Sequence, residues 1–400
     1  MFGGTKAIPD GVAKKWPFIT QEDRDAVMRM MDHGAFSHIT PEIDGLQAEW
    51  AHYVGTRHCL ATSSGTAALH MSVAAAGIGP GDEVIVPAFT FVATGTAVLH
   101  HNAIPVFVDV DPTTGNMDVD QLEQAANDLA KGGEPARKWL PRGGAEKHGK
   151  LKAILAVDVF GQPADYDRIR KVADRYHLKL IEDSCEALGA EYKNRKAGLL
   201  GDYAVFAFYP NKQITTGEGG MIVTNDDQAA ALMRALRNQG RAPGDNWLQH
   251  TELGYNYRID EMSAALGAVQ MKRIEELLNK RQQVADWYAE RLAEIPAVEA
   301  PALSDQTTRV SWFVYVIRTR AGVDRDQLAA KLDQKGIPVR PYFLPIHLQP
   351  YMAKGFSYRE GDFPVTEDLG RRGLALPFSG AMSEEQVDLV CRALQDCLTS

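Results

Sequence analysis

The chain is poor in cysteine, and its cysteines sit at no motif spacing. Cys59, Cys185, Cys391 and Cys397 form no CxxC pair. That excludes a disulfide scaffold, argues against a structural zinc site and predicts reduced, buried thiols. No stretch approaches the ~18–20 apolar residues of a membrane-spanning helix. Basic charge is not in excess either: 43 Lys+Arg stand against 52 Asp+Glu, a formal net charge of −9. Binding along a nucleic-acid backbone needs a concentrated basic face, so this balance argues against it. The opening residues, Met1 to Asp10, lack the basic-then-apolar order of a secretory signal, and a cytoplasmic protein is expected. Internal repeats and low-complexity tracts are absent.

What is present is 400 residues, 45% hydrophobic, enough for two or three domains or one large α/β domain with an appendage. Seven short apolar runs read as strands: 58–62, 83–87, 105–110, 152–157, 179–183, 204–208 and 220–224. Helical patterns separate many of them, as over 65–76 and 91–101. This alternation predicts a mostly parallel seven-stranded sheet covered on both faces, with any active site at the carboxyl ends of its strands. Thr20 and Asp23 announce a helix that runs through Ala26–Met31. A long amphipathic helix is expected over 260–295, closed by Pro296 and Pro301. Beyond it, a strand at 312–317 and helices at 326–335 and 383–398 suggest a smaller α+β domain. The expected division is a large domain, 1–270, with an N-terminal segment 1–20, and a small domain, 271–400. Residues 131–150, with four glycines and two prolines in the first fourteen positions, read as an exposed loop. It is either a solvated insertion or a flap whose cations meet an anionic substrate.

Four segments carry chemistry. Lys212 follows a strand within Tyr209-Pro-Asn-Lys-Gln-Ile-Thr-Thr-Gly-Glu-Gly-Gly220, with no acid beside it in the chain until Glu218. A lysine in a desolvated pocket becomes a nucleophile for carbonyls, the plain alternative being a surface lysine. The dense glycines after it suit close backbone approach. Asp183 ends the apolar run Leu180-Ile-Glu-Asp, where a carboxylate needs a cation or a helix N-terminus to cap. A protonated pyridine nitrogen would be such a cation. Thr62-Ser-Ser-Gly-Thr-Ala-Ala-Leu-His70 joins a strand to a helix, and its free N–H groups and hydroxyls suit a phosphate. Phe91, in Pro87-Ala-Phe-Thr-Phe-Val-Ala-Thr94, follows a strand and could lie flat on an aromatic cofactor, or simply belong to the core. Together these describe a pocket for pyridoxal 5′-phosphate (PLP).

On these segments, together with LGYNYRIDEMSAALGAVQ at 253–270, the chain resembles the DegT/DnrJ/EryC1/StrS family of sugar aminotransferases from about Trp16 to the C-terminus. The resemblance implies the fold-type I architecture, PLP as cofactor, and a homodimer with shared active sites. It implies that Lys212 is the Schiff-base lysine and Asp183 the partner of the pyridine nitrogen. Phe91 would stack on the ring, and Gly65, Thr66 and Ala67 would hold the phosphate. Asn256 would reach the neighbouring subunit's cofactor, while Tyr342 and His347 would border the substrate. It further implies amino transfer from glutamate to a nucleotide-linked keto sugar, through the pyridoxamine form (PMP). Three residues depart from the family pattern: Ala207 stands where a phosphate-binding serine is frequent, Glu186 where a glutamine faces the cofactor's phenolic oxygen, and Asp158 where a histidine is common. Glu186 is therefore expected to be protonated or turned toward a cation. Amination of a cyclitol and aminohydroxybenzoate synthesis remain open as alternatives. Lys212 counts against sugar 3-dehydration, whose enzymes carry histidine there. The intact Lys212 and Asp183 count against a regulatory homologue without catalysis.

Overall fold

The computed structural model describes residues 16–33, 41–143 and 149–399. Its centre is a seven-stranded sheet: β1 His58–Thr62, β2 Glu83–Pro87, β3 Ile104–Val108, β4 Leu151–Val157, β5 Lys179–Asp183, β6 Tyr203–Ala207 and β7 Gly220–Thr224. The spatial order is β1-β7-β6-β5-β4-β2-β3. β7 alone runs antiparallel to its neighbours β1 and β6, and β3, β2, β4, β5 and β6 pair in parallel. All seven expected strands are present to within a residue or two at each end. They read as unbroken apolar runs because both faces are covered. Val84 and Val86 pack into one core, and Ile85, between them, into another.

A second sheet, of Val298–Glu299, Tyr315–Thr319, Gly373–Leu376 and Arg340–Pro341 in that spatial order, belongs to the C-terminal part. It packs with the helices Arg325–Gln334 and Glu384–Thr399 around Tyr288, Tyr315, Leu332 and Leu394.

Two expectations need correction. The long helix over 260–295 is two helices, Glu261–Lys272 and Ile274–Leu292, and the backbone leaves helical geometry at Arg273 (φ −107°, ψ 11°). The apolar stretches 261–271 and 274–292 read as one helix, and the break falls in the basic pair Lys272-Arg273 between them. The second helix bridges two cores. Ile274, Leu277 and Leu278 pack with Trp50 and Phe206 of the large sheet's flank, whereas Val284, Tyr288 and Leu292 lie in the C-terminal core. The segment 131–150 is also not wholly a loop: Gly133–Arg137 is a short helix, and residues 144–148 lie outside the described ones. Its Lys138 meets Asp128 at 2.8 Å and its Arg142 meets Asp362 at 2.7 Å.

The break at Arg273 is where the first helix is anchored. Arg273 donates to both carboxylate oxygens of Asp23 (3.0 and 2.8 Å). Asp23 is buried and also accepts from the Thr20 amide and hydroxyl. Removing one partner of such a pair leaves the other charge without compensation in a dry place. Arg273→Met is expected to lower the stability measured by urea denaturation by about 3 kcal/mol, and Asp23→Asn to lower it less.

Candidate active site

A cavity of about 480 Å³ opens at the carboxyl ends of the strands. Ser64, Gly65 and Thr66 reach it from the turn after β1, and Thr90 and Phe91 from the turn after β2. Asp183, Cys185 and Glu186 enter from β5, and Ala207, Tyr209, Asn211 and Lys212 from β6. Phe313, Tyr342 and Phe343 close it from the C-terminal part. Parallel strands end together on one edge, so residues far apart in sequence converge there.

Close backbone approach builds the cup. Ser64 caps the helix Gly65–Ala75 by accepting from the Ala67 amide at 3.1 Å. A Cβ on Gly65 would stand 2.6 Å from the Ala207 Cβ, and one on Gly220 would stand 2.5 Å from the Ser64 carbonyl oxygen. Only glycines let the turn, β6 and β7 crowd together in this way. The first-turn amides of a helix have no partner within it, and Gly65 and Thr66 present that end to the cavity.

Asp183 does not cap a helix. Its Oδ2 accepts from the Thr94 hydroxyl at 2.8 Å, and its Oδ1 from the Cys185 amide at 3.2 Å. Thr94 in turn meets Thr90 at 2.8 Å. Each carboxylate oxygen thus keeps acceptor capacity toward the cavity. Lys212 lies 3.8 Å from Glu186 Oε1, with its ammonium 3.8 Å from the centre of the Phe313 ring. Glu186 Oε2 accepts from the Phe160 amide at 2.9 Å. Burial pushes the Glu186 carboxyl up, and the Lys212 charge pulls it back. Of the two expectations for Glu186, the geometry matches the second, a carboxyl facing the Lys212 amine, while burial keeps its net shift upward. Arg281, on the bridging helix, is buried and donates to the carbonyls of Lys212 (2.9 Å), Trp312 (3.1 Å) and Phe313 (3.2 Å). Burial pulls its guanidinium down to about 9.

Beneath Asp183 lies a buried acid pair. The Ser184 hydroxyl is 2.6 Å from Asp158 Oδ2 and 2.9 Å from Glu182 Oε1. One hydroxyl carries one proton, so two bonds among three oxygens need a second proton on a carboxyl. Glu182 accepts from the amides of Gly198, Leu200 and Gly201, the environment of an anion. Burial raises both carboxyls; the three amides pull Glu182 back, whereas the Glu182 charge pushes Asp158 further up, so Asp158 is the member that takes the proton and donates to Ser184. Its own amide donates to the Asp183 carbonyl at 3.1 Å.

Of the residues singled out from sequence, Lys212, Asp183, Gly65, Thr66, Phe91, Glu186 and Tyr342 line the cavity. Ala67 does not: it is buried one position further into the helix, and its amide is taken by Ser64. His347 does not either. It has no exposed surface, bonds Glu367 at 2.9 Å and packs on Phe363, so it stands behind the wall. Asn256 is exposed and outside this cavity. Sequence reasoning missed Thr94 and Phe313. Phe313 falls within the run 312–317 taken for a strand, but the strand begins at Tyr315 and the preceding turn delivers the ring to Lys212.

A model described as the DegT/DnrJ/EryC1/StrS aminotransferase family matches residues 17–395. The chain belongs to this family. Among the relatives of this DegT-family aminotransferase is the GDP-perosamine synthase of Caulobacter vibrioides, 39% identical over 385 residues, or 96% of this chain and 97% of that protein. The dTDP-3-amino-3,4,6-trideoxy-alpha-D-glucose transaminase of Streptomyces venezuelae is 34% identical, covering 93% of this chain and 90% of that one. Among solved structures, a DegT DnrJ EryC1 StrS aminotransferase from Brucella abortus aligns with a TM-score of 0.83 at 33% identity, over 94% of this chain and 95% of that one. The enzymes of the family depend on PLP, and the residues here fit it: a glycine cup, a carboxylate with spare acceptor capacity and an amine share one cavity.

The proton count generates a prediction. Asp158→Asn supplies the same donor to Ser184 and the same acceptor to Tyr166 and Ala164. It is expected to keep the stability measured by urea denaturation within about 1 kcal/mol of wild type. Glu182→Gln turns an NH2 toward amide donors and is expected to cost about 3 kcal/mol.

Proposed function

We propose that this aminotransferase moves an amino group from glutamate to the keto group of a nucleotide-linked sugar, working as a homodimer with shared sites. The observation that carries the reading is the convergence of the Lys212 amine, the Asp183 carboxylate and the Gly65–Thr66 cup on one cavity. The names of two relatives, which specify GDP- and dTDP-linked amino sugars, support the substrate class. The dimer is supported by exposed apolar side chains in the segment that leads to Asn256: Trp247, Leu248 and Leu253 are 68%, 84% and 92% exposed. A patch of that kind favours a protein partner.

PLP, when bound, supplies an aldehyde for amines and a ring that withdraws electrons from the carbon losing its proton. Lys212 would hold the cofactor covalently, and its freed Nζ would carry the proton between donor and cofactor carbon. Glu186, 3.8 Å away, balances the charge on that amine. Asp183, fixed by Thr94 and the Cys185 amide, would face the ring nitrogen and keep it protonated. Gly65 and Thr66 would bind the phosphate, Phe91 would cover one ring face, and the partner's copy of Asn256 would complete the cup. Tyr342, from the C-terminal part, would border the sugar.

Incubation with glutamate and a panel of keto-sugar nucleotides, followed by mass spectrometry, is expected to show one sugar exchanging oxygen for NH. Reaction with a ketocyclitol and with no sugar nucleotide would overturn the substrate class. Lys212→Ala is expected to lose the visible absorption band of the wild type and all turnover while keeping its fold.

A further inference from the structure

A second cavity, of about 230 Å³, gathers Arg234, Arg237, Arg241 and Arg258, with Asn238 and Ile43. It shares no lining residue with the cavity of Lys212. Among the described residues, no salt bridge joins any of the four to a carboxylate, whereas Arg57, Arg142, Arg168, Arg175 and Arg291 all have one. Arg237 donates only to neutral oxygens, Gln47 Oε1 (2.9 Å) and the Ala61 carbonyl (2.8 Å). Arg258 donates to Asn238 Oδ1 at 2.9 Å. The Nε atoms of Arg237 and Arg241 are buried without any partner. Burial, and then the charge of Arg234, pulls Arg237 down to about 10.

In a chain with net charge −9, four guanidinium groups line one cavity without a salt bridge among the described residues; Asp44 offsets Arg237 only from beyond salt-bridge distance, and Arg241 lies over the Trp247 ring, 4.7 Å from its centre. We propose that this cavity binds a phosphate or diphosphate group. A single carboxylate would answer one charge, whereas a diphosphate carries several and offers enough oxygens for several planar forks at once. Arg237 ties the site to the phosphate cup, since the Ala61 carbonyl it holds lies in β1, three residues before Ser64. The proposal does not depend on the aminotransferase reading.

Calorimetric titration of the PLP-loaded protein with inorganic pyrophosphate tests it, because the cofactor's own phosphate then fills the cup. Binding is expected, and Arg234→Gln together with Arg241→Gln should weaken it at least about tenfold. Arg234 lies on the exposed face of its helix. In buffer without multivalent anions, Arg234→Gln should therefore leave the melting midpoint unchanged or raise it by relieving repulsion. With pyrophosphate the wild type should melt higher than the variant. Titration with GDP distinguishes the sources: tighter binding through the same arginines assigns the group to a nucleotide, and preference for pyrophosphate assigns it to the free ion. Absence of binding, or binding that the double substitution does not change, would overturn the proposal.

Discussion

The fold is organised around a carboxylate kept almost out of water with no cation of the chain's own in a salt bridge to it, among the described residues. Asp183 is 5% exposed and holds only a hydroxyl and one amide. Two donors leave that carboxylate with acceptor capacity to spare toward the cavity it lines, where a positive partner would be held. The surroundings suit such a partner. Glu182, the residue before Asp183, has its charge stabilised by hydrogen bonds from three amides. Asp158 carries a proton and adds no second charge beneath the site. A histidine at position 158 could gain charge where this protein keeps a neutral group.

Much of this was legible in the sequence because parallel strands with two buried faces leave continuous apolar runs, and the residues that end those runs line the cavity. Lys212, Asp183, Phe91 and Gly65 were readable on that ground. The misses share a cause: one-dimensional pattern does not say which way a side chain points. Ala67 stands one position too far into its helix. His347, in a polar and aromatic stretch, turns inward to Glu367. Phe313 looked like strand, and Thr94 like one more small helical residue. The break at Arg273 falls where two apolar stretches meet at a basic pair, too short an interruption to separate one helix from two.

Two of the departures from the family pattern acquire physical content. Ala207 packs its methyl group against the bare face of Gly65, so this side of the cup is formed by contact, without a hydroxyl donor. Glu186 gives the lysine a negative neighbour where a glutamine would give a neutral one, and the amide of Phe160 fixes its other oxygen.

Arg281 bears on how the molecule can move. Its single guanidinium holds the carbonyl of Lys212 on one side and those of Trp312 and Phe313 on the other. Rotation of the C-terminal unit about this point would have to drag the main chain of the lysine with it or strand three carbonyls away from water. The two halves of the pocket are thus riveted beside Lys212. What is left free to yield at the mouth of the cavity is side chains such as Leu344, more than half exposed.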